Sequence, residues 1–336
     1  MFHSIPDDGN LWTRRHWLKA AGALTVGATC AQSLQAATEP DNPPASTMQI
    51  GILMGTFARP TLEARLDAVK ACGLDCVQLS MSCAGLPMMP DEIPPELVTR
   101  IRRETDARGI TIASLEGTFN MSHPDAEHRR AGLRRLRVLA EVCQPLGTSK
   151  IHLCTGTRDP GHMWRRHADN DSPEAWRDMV SCVREATDIA RQADVILAFE
   201  PEVNNVVDSP KRARRLMDEI GSPHLKVTMD AANIFHAGEL ARMSEVLDQA
   251  FALIGKDIVL AHAKDLSRDG DAGHEAAGHG KLDYDRYLSL LHACGFRGPL
   301  LLHGLSEAQV PGCVAFLRDK LARLATAGEK SSSGSR

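Results

Sequence analysis

Four side chains that can bind a metal or move a proton stand at the ends of apolar segments in the second half of the chain. Glu200 closes one such segment and Asp230 closes the next, while His262 and His303 stand in the two that follow. An isolated charge behind an apolar run is costly to bury, and one divalent cation would satisfy all four groups. Two oxygen and two nitrogen ligands are compatible with Mn, Zn, Co or Fe, and the spacing does not choose among these metals.

The same residues also have a purely structural interpretation. Glu200 and Asp230 could pair with Lys264 or Arg158 in a network of ion pairs. A single buried histidine more often satisfies hydrogen bonds in a core than it binds a metal. The repetition over four successive segments favours the metal site.

A second polar group follows the fourth apolar segment, in the loop 154–167. Arg158, Trp164 and Arg165 predict contacts with a polar substrate, because arginine matches carboxylate or phosphate and an indole ring can stack on a sugar. The alternative is a solvated loop that Trp164 anchors to the fold. Three further residues are candidates for substrate contact, namely Glu116, His152 and His236.

Eight short apolar segments alternate with helical patterns through residues 48–325. The predicted strands are 49–54, 76–80, 111–116, 150–154, 195–200, 226–230, 258–263 and 299–303. Strict alternation indicates a parallel sheet, because parallel neighbours need crossover connections that helices supply. Eight units favour closure into a single (β/α)8 TIM barrel with its site at the carboxyl ends of the strands. An open, doubly wound sheet is the alternative, although no glycine-rich dinucleotide loop follows the first strand.

Bulk composition narrows the class of protein. The chain has 336 residues, of which 43% are hydrophobic, and this is enough for one barrel and its core. A net charge of −4 gives no basic surplus, so the sequence predicts no nucleic-acid partner. Nine cysteines in a chain of this length do not indicate a disulfide framework.

The amino-terminal segment predicts export. Arg14 and Arg15 precede a mildly apolar stretch that ends in small residues, which is the order of a twin-arginine signal peptide. Glycines and polar residues break this stretch, so no stable membrane span is expected. We expect a signal peptide over residues 1–37, a linker over 38–47 and a disordered tail over 326–336. The mature protein would then be periplasmic or otherwise exported. A lipoprotein signal at Cys30 is an alternative.

Several of these residues lie in motifs that resemble the xylose-isomerase-like barrel superfamily of sugar phosphate isomerases and epimerases. The motifs are Phe199-Glu200-Pro201, Asp230-Ala231-Ala232-Asn233, His262-Ala263-Lys264-Asp265 and Gly278-His279-Gly280. The resemblance covers nearly all of residues 48–325. It implies that Glu200, Asp230 and His262 are metal ligands, and that Asn233 and Lys264 are polar neighbours of the substrate.

The chain departs from that superfamily at one position. Its members usually end the eighth barrel strand with a glutamate, which is the fourth metal ligand and, in epimerases, one of two facing acid–base glutamates. This chain has His303 there. The superfamily also contains apurinic endonucleases, which carry a histidine three residues after the strand-six aspartate. Asn233 stands at that place here, so the sequence does not favour a nuclease.

The resulting hypothesis is an isomerase or epimerase that acts on a keto sugar, a sugar phosphate or a related polyol. A metal on a carbonyl and the adjacent hydroxyl would stabilise the enediolate formed when the α proton leaves. Glu200 would orient or accept that proton, and Lys264 or a histidine would return one. One alternative is a lyase that acts on 3-keto-glycosides by β-elimination, and another is a periplasmic barrel that binds sugars without catalysis. A small carbohydrate is the expected partner. The sequence does not decide between a monomer and a homo-oligomer.

Overall fold

A computed structural model describes the backbone of residues 48–333 and the side chains of residues 48–326. The described residues belong to one compact unit. The predicted signal peptide and linker lie outside the described residues, so export stays a prediction. Within the described part, no helix is both long and apolar enough to cross a membrane.

Eight parallel strands close into a barrel, as the alternation of segments predicts. The strands are β1 (Ile50–Leu53), β2 (Cys76–Leu79), β3 (Thr111–Glu116), β4 (Lys150–Cys154), β5 (Ile196–Glu200), β6 (Leu225–Asp230), β7 (Ile258–Asp265) and β9 (Leu300–Leu302). Neighbours in the chain pair in parallel, and β9 joins β7 to β1 to complete the ring. A short strand β8 (Glu275–Ala276) pairs antiparallel with the end of β7 and builds up that side of the barrel mouth. The fold is therefore a single (β/α)8 TIM barrel, and the open-sheet alternative is wrong.

Helices follow the barrel strands and pack on the outside of the ring. They are α1 (Leu62–Ala71), α2 (Pro95–Asp106), α3 (Ala126–Cys143), α4 (Pro173–Ala193), α5 (Pro210–Ile220), α6 (Met243–Ile254), α7 (Tyr284–Ala293) and α8 (Val310–Ser333). Ser172 and Ser209 cap α4 and α5, and each is followed by a proline at the first helical position. The backbone of α8 continues to Ser333, so it extends into the segment that the sequence predicts to be a disordered tail.

Alternation along the strands separates a dry barrel interior from a polar mouth. A small apolar cluster fills the interior with side chains from five strands, namely Cys76, Ala113, Ala198, Leu260 and Leu301. The residues two positions further along four of these strands point the same way, since side chains repeat with period two in a strand. Those residues are Gln78, Glu200, His262 and His303. The polar groups of the mouth therefore stand directly above an apolar floor.

Candidate metal centre and active site

Carboxylate and imidazole groups from β5, β6, β7 and the end of β9 meet at the carboxyl end of the barrel. His262 Nδ1 lies 3.1 Å from Glu200 Oε2 and 3.6 Å from Asp230 Oδ2. His303 Nδ1 lies 3.7 Å from the same Asp230 oxygen. Asp230 pairs directly with His262 in the sheet register, which brings their side chains together. The four residues that the sequence predicts as metal ligands thus converge on one point.

Two nitrogens of this cluster are buried without a hydrogen-bond partner. Nδ1 of His262 and Nδ1 of His303 both lie out of contact with solvent, and neither makes a hydrogen bond. His262 Nδ1 nevertheless lies within ion-pair distance of two carboxylate oxygens, so a proton or a cation can bridge these groups. A buried polar atom without a partner is unfavourable unless a ligand completes its environment. Asp230, His262 and His303 offer ligand atoms that lie within 4.8 Å of one another, which is the arrangement that a cation requires.

Gln78 fixes the orientation of His262. Its amide nitrogen donates to Glu116 Oε2 at 2.5 Å, so its amide oxygen faces His262 Nε2 at 3.4 Å. Donation from Nε2 to that oxygen leaves Nδ1 available as a ligand, as in metal sites whose histidines are held by an outer partner. Glu116 therefore acts on the cluster through Gln78.

The electrostatics of the cluster favour ionised carboxylates. Burial would raise the pKa of Asp230, but Lys264 and the two neighbouring imidazoles outweigh it and hold that pKa well below its usual value. Burial likewise opposes ionisation of Glu200, yet His262 keeps its pKa lowered. The two carboxylates in turn overcome the burial of His262 and raise its pKa to about 9. Two ionised carboxylates that stabilise a positive charge on His262 would also stabilise a divalent cation that displaces its proton.

His152 and Cys154 stand on the other side of Glu200. His152 Nε2 lies 3.7 Å from Glu200 Oε2 and 4.0 Å from Cys154 Sγ, and together these three residues form a second group of ligand atoms. The Thr228 hydroxyl donates to the carbonyl of Ala198, so His152 Nδ1 donates to that hydroxyl at 3.1 Å. This leaves the lone pair of His152 on Nε2, directed toward Glu200. Burial raises the pKa of Cys154 far above its usual value, so this thiol stays protonated.

Asn233 connects Glu200 with Lys264. Its amide nitrogen donates to Glu200 Oε1 and, at 3.2 Å, to Asp230 Oδ2. Its amide oxygen accepts from Lys264 Nζ at 3.2 Å and from the backbone of Gly273 at 2.8 Å. A carboxylate and an amine are thereby held on opposite ends of one amide.

A cavity of about 600 Å³ opens above the cluster. Seven of the residues that the sequence proposes for the site line it, namely Glu116, His152, Trp164, Glu200, Asn233, Lys264 and His303. Asp230 and His262 lie beneath its floor and are essentially inaccessible. The cluster of possible metal ligands and the cavity are therefore continuous.

Three residues predicted to contact substrate do not line this cavity. Arg158 is buried and donates to Asp178 Oδ2 on α4 at 2.7 Å, so it fastens the β4 loop to that helix. Arg165 donates to Asp159 at 3.2 Å and is otherwise exposed. The backbone of His236 donates to Glu239 at a turn. Each of these residues therefore makes a contact within its own loop or with a neighbouring helix, and the sequence pattern gave no sign of these contacts.

Seven polar residues line the cavity without having been predicted, namely Gln78, Ser80, Ser82, Thr118, Glu202, Asn204 and Asp271. The alternation of β2 could have identified Gln78, since it stands two residues after the interior residue Cys76. Glu202 lies in the tight loop after β5, where its oxygens accept from Asn204 and Asn205. Burial raises the pKa of Glu202 to about 8.

Comparison with known proteins agrees with the fold. A family profile described as xylose isomerase-like TIM barrel matches residues 66–319. Two curated relatives, from Homo sapiens and Actinoplanes sp., are 26% and 25% identical over 187 residues, which are 52% and 56% of this chain. The Actinoplanes relative is a 2-epi-5-epi-valiolone 7-phosphate 2-epimerase. This chain spans only 61% and 63% of the length of these two relatives.

Solved structures with the same fold are more distant in sequence. A D-tagatose 3-epimerase-like protein superposes with a TM-score of 0.67 at 15% identity, over 83% of this chain and 99% of its own. The 3-keto-D-glucoside 4-epimerase from E. coli gives a TM-score of 0.63 at 17% identity, over 81% of this chain and all of its own. The profile match covers most of the barrel. The chain therefore belongs to the xylose isomerase-like TIM barrel family.

Proposed function

We propose that this protein is a metal-dependent isomerase or epimerase of a keto sugar or a related polyol. One observation carries the proposal. Side chains from four adjacent barrel strands converge beneath a cavity and leave two buried imidazole nitrogens without partners. The family supports the substrate class, because its relatives include sugar epimerases.

Asp230, His262 and His303 would hold the cation, with Glu200 beside them. Two carboxylates and two imidazoles suit Mn, Zn, Co or Fe, and the residues do not select one of these metals. When bound, such a cation polarises a carbonyl oxygen and stabilises the negative charge that develops when an adjacent C–H proton leaves.

Glu200 is the residue we assign to take up the α proton. It lines the cavity, and its lowered pKa keeps it ionised at neutral pH. Asn233 orients its Oε1 by donating a hydrogen bond to it. The position of Glu200 between the cavity and the ligand cluster supports this assignment, because the carbonyl of a bound substrate would be held on the same side.

Lys264 is the residue we assign to return a proton. It lines the same cavity and donates to the other end of the Asn233 amide. The usual strand-eight glutamate of the superfamily is replaced here by His303, so a second glutamate does not face Glu200 from that strand. A carboxylate paired with an amine across one amide supplies the acid and base that two glutamates supply elsewhere.

Exchange of a substrate proton with solvent tests this proposal. Keto sugars are incubated in deuterated buffer with metal-loaded protein, and deuterium at the α carbon is measured by NMR. We expect exchange that requires the metal and is lost in Glu200→Gln. Lys264→Met should retain exchange but slow formation of the isomerised product, because it removes the proton donor. Lack of exchange across the whole panel would overturn the proposal.

A further inference from the structure

Part of the wall of this cavity is formed by large apolar side chains. Within the described part of the chain, three large apolar side chains are exposed, and two of them line this cavity: Met88, which is 37% exposed, and Trp164, which is 44% exposed. Met163 lines it as well. The third exposed residue, Leu253 on α6, lies elsewhere. Large apolar side chains left open to solvent beside a cavity commonly mark a surface that a ligand covers.

Trp164 stands on a turn that is fixed before any ligand arrives. The buried carboxylate of Asp159 accepts from the backbone of Gly161 at 2.8 Å and of His162 at 2.9 Å. Its other oxygen accepts from Arg165, which follows Trp164 directly. A preformed aromatic surface loses little conformational entropy when a ring packs on it. The exposure of Trp164 is thus a property of a well-held loop.

The charges around the cavity do not suit a phosphate group. Among the described residues that line it, Lys264 is the sole lysine or arginine, and it already donates to Asn233. Four carboxyl residues line the same cavity, namely Glu116, Glu200, Glu202 and Asp271. The β4 loop has three arginines, and all are engaged: Arg158 by Asp178, Arg165 by Asp159, and Arg166 by Asp171 and Asp208. Glu116, Glu200 and Asp271 would therefore oppose a phosphorylated sugar, and none of the described lining residues offers a free guanidinium to attract one.

We propose that the substrate is an uncharged glycoside that carries a ketone on its sugar ring and an apolar, aromatic aglycone on its anomeric carbon. The sugar would lie on the polar floor around Glu200 and Asn233, and the aglycone would pack against Met88, Met163 and Trp164. This inference rests on the proposed function for the position of the sugar. The aglycone site itself follows from the apolar edge and its charge environment.

Binding measured by calorimetry tests the inference without any turnover. Metal-loaded protein is titrated with pairs of phenyl and methyl glycosides that share one keto sugar ring. It is also titrated with the free sugars, among them glucose, and with glucose 6-phosphate. We expect the phenyl glycoside of at least one sugar to bind about tenfold more tightly than its methyl glycoside. Glucose 6-phosphate should bind no more tightly than glucose.

Variants localise the effect. Trp164→Ala should reduce the phenyl advantage to about twofold or less, and Trp164→Phe should keep most of it because a ring remains. The matched control is Leu253→Ala, an equally exposed apolar residue outside the cavity, which should leave the advantage unchanged. Unfolding midpoints verify that each variant is folded.

The inference is overturned if no phenyl glycoside binds more tightly than its methyl counterpart, including the case in which none binds. Tighter binding of glucose 6-phosphate than of glucose would overturn it too. Failure of the proposed function gives a different result, because a phenyl advantage would then persist without proton exchange in any sugar. Proton exchange without a phenyl advantage would instead refute the aglycone site alone.

Discussion

Buried and half-buried polar groups are paired differently at the two ends of the barrel. At the amino end, Asp257 precedes β7 and both its oxygens are paired, with Lys226 Nζ at 2.7 Å and Arg214 Nη1 at 2.9 Å. At the carboxyl end, Asp230 and its neighbours are more deeply buried, yet two imidazole nitrogens beside them have no partner. The fully paired charges at the amino end contribute to stability. The unpaired nitrogens at the carboxyl end are typical of a functional site, where a ligand completes the interactions.

Glu200→Gln should give the largest effect at the carboxyl end. The amide keeps the shape of the side chain and can still accept from Asn233, but it can neither take up a proton nor offer a charge to a metal. We expect catalytic turnover to fall by about 10³-fold. The rate of substrate proton exchange measures it.

Asp257→Asn is the matched control for that substitution, since it removes one carboxylate charge at the opposite end. Its activity should stay within about twofold of the wild type, because surface changes away from a site act weakly. If Glu200→Gln remained active, the contrast between the two ends would fail. If Glu200→Gln bound sugar tightly and its rate of proton exchange equalled the slow rate of the wild type, a non-catalytic sugar-binding barrel would be favoured.

Removal of the metal should affect both activity and stability. A ligand that binds only the folded state stabilises it by about 2.7 kcal/mol when it is present at 100 times its Kd. We therefore expect a chelator to abolish activity and to lower the free energy of unfolding by about that amount. Urea unfolding with and without chelator measures the change.

Asp230→Asn tests whether that stabilisation arises at the proposed centre. The variant should unfold at the same urea concentration with or without chelator, because a central ligand is missing. An equal effect of the chelator on Asp230→Asn and on the wild type would place the metal somewhere else. Mn, Zn, Co and Fe added back singly would then show which metal restores activity to the wild type.

His303 provides a smaller, graded test of the same centre. Its Nδ1 is buried near Asp230, while about a third of the side chain faces the cavity. We expect His303→Ala to weaken metal binding by about 10- to 100-fold, measured by competition with a chromophoric chelator. His303→Glu should recover part of that loss, since a carboxylate can also coordinate. Unchanged affinity in His303→Ala would limit the centre to Glu200, Asp230 and His262.

The barrel could be predicted, and so could the meeting of Glu200, Asp230, His262 and His303 at its mouth, because both depend on local pattern. The predicted strands 111–116 and 150–154 have the observed bounds, and period-two alternation places Glu200 and His262 at the mouth. Partners distant in sequence could not be predicted. Arg158 appeared to be a substrate contact because its salt bridge to Asp178 depends on how α4 packs.

The lining of the cavity was harder to predict than its floor for a related reason. Glu202 and Asp271 reach the cavity from loops, whose course is set by hydrogen bonds between separate segments. Asn204 donates to Asp271 at 2.8 Å across 67 positions of the chain. No periodicity marks such a contact, because it depends on two loops that meet only in the folded protein.

Substitution of Asp257 at the amino end should have the smallest effect on the free energy of unfolding, and this effect should depend on pH. Burial alone would raise the pKa of Asp257, but Lys226 and Arg214 outweigh it and hold that pKa below its usual value. A carboxylate with a lowered folded-state pKa stabilises the protein above its unfolded pKa of about 3.9, and this contribution is lost as the pH falls through the folded pKa. Because the ion pairs remain partly solvated, we expect Asp257→Asn to cost about 1 kcal/mol or less near neutral pH. The difference from wild type in urea unfolding should shrink toward zero in acid.

The exposed pair of Arg102 and Asp106 offers a control, since Asp106→Asn should have still less effect at any pH. A cost for Asp257→Asn that stayed constant from neutral to acidic pH would show that packing, and not the closed ion-pair network, accounts for the stability of this end.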